Sequence, residues 1–144
     1  MLPQPKAVAS TGWLEPEKLP VSDPVPALSG RRVLLVEDEY LIALDMEHNL
    51  KQAGAEVAGP VPDAQQALAL IETVPVDAAI LDVNLRGESV YSVADQLNAH
   101  GIPYLFATGE VQIADRSDYR SRPKLEKPIL VDELVRAVGR LMQN

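Results

Sequence analysis

Four aliphatic residues, Val33-Leu-Leu-Val36, end abruptly at three carboxylates, Glu37-Asp38-Glu39. An unbroken apolar run of this kind predicts a strand buried on both faces, over Arg32–Val36. Beyond it Ile42, Met46, Leu50 and Ala53 recur at helical spacing, and Gly54 closes that helix. Ala55–Ala58 reads as a short second strand. Asp63 is placed to cap a helix whose inner face is Ala67, Leu68 and Ile71. Asp77–Leu81 predicts a third strand, Ser89 to His100 a helix closed by Gly101, and Pro103–Ala107 a fourth strand. Residues 109–122 are polar and weakly periodic. Pro123–Glu126 reads as a short fifth strand, and Val131, Leu134, Val135, Val138, Leu141 and Met142 outline an amphipathic last helix.

Strand and helix thus alternate as five βα units, the pattern of an α/β fold with a parallel sheet covered on both faces. Right-handed crossovers bring the C-terminal ends of all strands to one rim, where ligands of such sheets bind. The residues delivered there are Glu37-Asp38-Glu39 after strand one, Asp82 with Val83-Asn84 after strand three, Thr108-Gly109 after strand four and Lys127-Pro128 after strand five.

The charges at this rim need an explanation. Two carboxylates about 4 Å apart repel by roughly 1 kcal/mol in water and roughly 4 kcal/mol at an effective dielectric of 20. A hard divalent cation relieves that repulsion. Mg²⁺ takes oxygen ligands and keeps several waters. Asp38 and Asp82 are the direct ligands expected, Glu37 acts through water, and the backbone carbonyl near Asn84 completes the set. A metal among carboxylates, with a lysine and a hydroxyl, suggests phosphoryl transfer to a carboxylate. The metal, Lys127, and Thr108 with nearby N–H groups would each take one phosphoryl oxygen.

Composition narrows the classes. The 144 residues suggest one folded domain with an appendage, and the absence of cysteine excludes disulfides and thiolate metal sites. A formal charge of −8 opposes binding to nucleic acid. No apolar run approaches the ~20 residues that span a bilayer, and Met1-Leu-Pro-Gln-Pro lacks the features of a secretory signal. A cytoplasmic protein is expected. His48 and His100 read as exposed or half-buried helix residues. Residues 1–30 hold six of the twelve prolines and read as a tail, or as a linker from a larger hybrid kinase. Trp13-Leu14 is its one strong apolar pair, free or docked on the domain or a partner.

The pieces VLLVEDE, AAILDVNL, FATG and KP, in this order at the ends of strands one, three, four and five, resemble the receiver domain of bacterial two-component response regulators, over 31–144. The resemblance implies a three-layer, doubly wound (βα)5 flavodoxin-like sandwich with strand order 2-1-3-4-5. It implies Asp82 as phosphoacceptor, Glu37 and Asp38 as the acidic pair serving Mg²⁺, Thr108 as the switch hydroxyl, Lys127 as the phosphate-contacting lysine, and a cis Lys127–Pro128 bond. Pro103-Tyr-Leu-Phe-Ala-Thr-Gly109 is similar to the motif of the FATGUY (PFxFATG) subgroup of stand-alone receivers, associated with HWE and HisKA2 kinases. Tyr104 and Glu110 depart from that motif. Lys124 stands where many receivers carry an aromatic residue that moves with the threonine. An order–disorder change in Glu110–Arg122 is the switch expected in its place; Tyr119 is the nearest upstream aromatic.

The expectation is therefore a phosphoacceptor rather than a turnover enzyme. Its donor would be a sensor histidine kinase or a histidine phosphotransfer protein. With no output domain after Asn144, it would signal through a downstream protein partner, as a monomer or weak homodimer. The rivals are a phosphate sink, a receiver-like docking module that is never phosphorylated, and an aspartate-nucleophile phosphohydrolase. The last needs a second carboxylate two residues after the nucleophile, where this chain has Asn84.

Overall fold

The computed structural model describes residues 26–85, 90–109 and 121–143. Five strands and four helices follow one another as β1 (Arg32–Val36), α1 (Tyr40–Gln52), β2 (Glu56–Val61), α2 (Ala64–Thr73), β3 (Ala78–Asp82), α3 (Val90–Ala99), β4 (Tyr104–Thr108), β5 (Lys124–Glu126) and α4 (Val131–Leu141). The sheet is parallel throughout, in the order β2-β1-β3-β4-β5. This is the doubly wound 2-1-3-4-5 sandwich expected. Residues 110–120, where the remaining helix of the five units would fall, lie outside the described residues, as do Trp13, Glu110 and Tyr119.

The apolar runs become the three central strands because each has both faces to bury. Alternate residues of a strand point to opposite faces. Leu34, Val36, Ala79, Leu81, Tyr104 and Phe106 accordingly pack under α2 and α3. Val33, Leu35, Ala78, Ile80, Leu105 and Ala107 pack under α1 and α4.

Local signals act as their chemistry requires. Asp63 caps α2, its Oδ1 accepting from Gln66 N at 2.8 Å. Gly54, at φ +96°, turns the chain out of α1. The second strand runs further than expected, through Gly59-Pro60 to Val61, because β2 pairs on one side only and tolerates a residue without an N–H there. The packed part also starts earlier than the proline pattern suggests. Leu28 is fully buried against the α1–α4 side, and its N–H donates to Ala53 O at 2.8 Å. On α4, Leu134 and Val138 are buried, while Val131 is exposed. His48 and His100 are both exposed. No helix among the described residues is long and apolar enough to cross a membrane.

Candidate functional site

Strand register assembles the site. Val36 pairs with Leu81, so the next residue on each strand, Glu37 and Asp82, emerge side by side. Asp82 pairs with Ala107, which puts Thr108 one step beyond. The parallel ladder continues past β5, with Lys127 N donating to Thr108 O at 2.9 Å. The Lys127–Pro128 peptide is cis, as the resemblance implies.

Among the described residues, the buried side chains that are charged or carry an aliphatic hydroxyl are Glu37, Asp82 and Thr108, each at most 3% exposed. All three lie at this one rim. Burying such groups is unfavourable unless they are paired. Lys127 supplies the pairing, with Nζ 2.8 Å from Glu37 Oε1 and 3.3 Å from Asp82 Oδ1. Backbone donors add to this: Glu39 N donates to the other Glu37 oxygen, Oε2, and Asn84 N to Asp82 Oδ1, the oxygen that Lys127 also approaches, both at 3.0 Å. Asn84 therefore sits in the tight loop directly over Asp82, its side chain exposed.

The electrostatics follow from this packing. Burial raises the Glu37 carboxyl above its ordinary value, and the neighbouring Asp82 charge adds to that; Lys127 and the Glu39 N–H only partly offset it. Burial pushes the Lys127 ammonium down, but its hydrogen bond to Glu37 and the Glu37 and Asp82 charges outweigh this, leaving it raised. One carboxylate oxygen each from Glu37, Asp38 and Asp82 lies within 4.8 Å of the others. Glu37 Oε1 is buried and, apart from the close ammonium, has no well-directed hydrogen bond. Hard oxygen donors, clustered and under-satisfied, fit a small divalent cation.

All six residues singled out at the rim are thus brought together. Features that the sequence did not suggest lie further along β4. Tyr104 and Phe106 meet edge to face at 5.6 Å, and Tyr91 of α3 meets Phe106 at 6.0 Å. Arg122 lies over the Tyr104 ring at 4.6 Å and donates to Asn98 Oδ1 at 2.6 Å. The alternation of Tyr104 and Phe106 on one strand face was the available signal; their partners come from other elements. Lys124, in place of the usual aromatic, is exposed.

A family model for the response regulator receiver domain matches residues 33–139. The solution structure of SdrG from Sphingomonas melonis Fr1 is similar at 42% identity and a TM-score of 0.69, covering 81% of this chain and 98% of SdrG. The response regulator PhyR from Brucella abortus is similar at 26% identity and a TM-score of 0.68, covering 81% of this chain and 49% of PhyR. The transcriptional regulatory protein PdtaR of Mycobacterium tuberculosis is 30% identical over 112 residues, 75% of this chain and 55% of PdtaR. The chain spans about half the length of the curated relatives it matches.

Proposed function

This chain belongs to the response regulator receiver family, and from that premise we propose that Asp82 accepts a phosphoryl group from a phosphohistidine on a sensor kinase or phosphotransfer protein. The observation that carries this reading is the burial of Glu37, Asp82 and Thr108 at one rim around a single lysine. A fold does not bury two carboxylates side by side for packing alone. A carboxylate oxygen of Asp82 attacks phosphorus, the P–N bond breaks, and the imidazole nitrogen keeps the electron pair.

The chain's own residues divide the work. Lys127, held protonated, balances the negative charge that accumulates on the transferred oxygens. Thr108 offers its hydroxyl from the end of β4. The N–H of Asn84 already fixes one Asp82 oxygen and so orients the carboxylate. Glu37, Asp38, Asp82 and the Asn84 carbonyl would hold Mg²⁺, which when bound neutralises phosphoryl charge. The same 42%-identical relative is known in a BeF3-activated conformation, which supports a site of this kind taking a phosphoryl mimic.

Donor docking has a surface beside the site. Tyr40 and Leu41 on α1 and Leu130 ahead of α4 are at least 66% exposed, and a groove lined by Leu41, Ile42, Met46 and Ile129 runs up to Lys127. An apolar face next to the acceptor suits a helical donor. The similarity of PYLFATG to the FATGUY motif favours a kinase of the HWE or HisKA2 type. The added phosphate, roughly −1.5 to −2 charges, would alter the face formed by β4, β5 and α4 and so change affinity for a protein partner. A net charge of −8 makes nucleic acid a poor partner.

Intact mass after incubation with Mg²⁺ and acetyl phosphate tests the assignment, with Asp82→Asn alongside. One added phosphoryl group in the wild type alone is expected. Addition to both proteins would place the acceptor elsewhere.

A further inference from the structure

A second surface lies away from the rim and is independent of Asp82. Asp132, Arg136 and Arg140 form an i, i+4 row on α4. With Arg31, just before β1, they line a groove of about 620 Å³. Val135 and Met142, both half-buried, give it apolar walls. Arg31, Arg136 and Arg140 make no side-chain hydrogen bond or ion pair among the described residues, whereas Arg32, Lys51, Arg122 and Lys127 each have a partner. A chain of net charge −8 thus gathers in one groove three arginines that have no partner among the described residues.

Ala27 also lines the groove, so the described chain begins beside it. The preceding sequence contains Trp13-Leu-Glu-Pro-Glu-Lys-Leu19, two carboxylates and then a lysine, between apolar residues. Its charges mirror those of the groove. Glu15 and Glu17 answer the arginines, Lys18 answers Asp132, and Trp13 can stack on a guanidinium. Lengths agree as well. Seven residues, if extended, would span ~20 Å, and the groove wall from Asp132 to Gln143, just past the end of α4, spans ~17 Å. The seven residues between Leu19 and Ala27 tether one to the other. So short a tether gives an effective concentration on the order of millimolar, at which individually weak contacts are populated. Pro16, Pro20 and Pro24 lower the entropy lost on docking.

We propose that residues 13–19 dock in cis in this groove, as a strap over the outer face of α4.

Trp13 is the sole tryptophan, so fluorescence of the full chain reads the strap directly. Acrylamide quenching at low salt would be compared with a synthetic peptide of residues 8–22. A groove occupied half the time or more lowers the quenching constant by about twofold or more. The double variant Arg136→Glu, Arg140→Glu should raise it to the peptide's value. Combining that variant with Glu15→Lys and Glu17→Lys should restore protection. Both arginines are exposed, so their reversal leaves the core untouched. A wild-type constant equal to the peptide's would overturn the proposal. So would protection that is insensitive to the arginines, protection that the charge swap fails to restore, or protection that disappears on dilution, which would mark docking onto a second copy.

Discussion

Lys127 stands between two carboxylates, 2.8 Å from Glu37 and 3.3 Å from Asp82, and its removal leaves both negative charges buried beside each other. Lys127→Ala should therefore destabilise the metal-free protein by roughly 3 kcal/mol, the scale for breaking a buried pair. Thermal melts in chelator should show the loss, and saturating Mg²⁺ should recover much of it, because the cation replaces the missing charge. The pH dependence has two parts of defined sign. The Lys127 pKa is raised from 10.5, so its stabilising contribution is complete below that pH and is lost as pH rises through the higher folded value. The Glu37 pKa is raised from 4.5, so the fold favours its protonated form; that contribution is complete below 4.5 and is lost as pH rises through the raised value. Urea denaturation of the metal-free protein between mildly acidic and neutral pH should show wild type losing stability relative to Glu37→Gln. A flat difference would mean that Glu37 is not desolvated.

At the scale of elements, legibility tracked burial. The central strands β1, β3 and β4 were readable because strands buried on both faces must be apolar throughout, and their polar terminators marked the rim. That is why Glu37, Asp82 and Thr108 could be named from order alone. Leu28 was not legible, since one leucine among prolines carries no periodicity; its burial depends on α4 and the end of α1 closing over it. Nor was the extension of β2 through Pro60, which composition argues against and only its one-sided pairing permits. The turn that places Leu28 has a test at Gly54. A Cβ there would lie 2.8 Å from Pro26 Cβ and 3.0 Å from Ser29 Cα, at a φ of +96°. Gly54→Ala should cost roughly 1–3 kcal/mol, measurable by chemical denaturation. The start of α1 has a different test. Leu41 is 76% exposed, so Leu41→Glu should leave stability and labelling by acetyl phosphate unchanged. Transfer from a phosphorylated histidine kinase should slow severalfold, and an unchanged transfer rate would remove α1 from the docking face.

For the whole molecule, the acidic cluster at the rim would couple metal binding to folding. A cation that binds the folded acidic cluster and not the unfolded chain stabilises by about 2.7 kcal/mol at a hundredfold excess over its Kd. The melting temperature should therefore climb with Mg²⁺ concentration, and the increment should shrink in Asp38→Asn, which removes one of the clustered carboxylates. Equal increments in both proteins would argue for general screening of the −8 charge rather than a site.

The sheet's two lateral margins have a consequence of another kind. On one side β5 is three residues long, and its Lys124 and Glu126 face solvent with opposite charges. On the other, β2 carries Pro60, which has no N–H to offer, and its pairing with β1 is irregular between Leu34 and Val36. Neither margin offers a long, regular ladder to an incoming strand. Concentrating the folded protein should thus favour contacts between helix faces over strand addition, and the apolar β1, β3 and β4, the segments most prone to form fibrils, remain interior to the sheet for as long as it is folded.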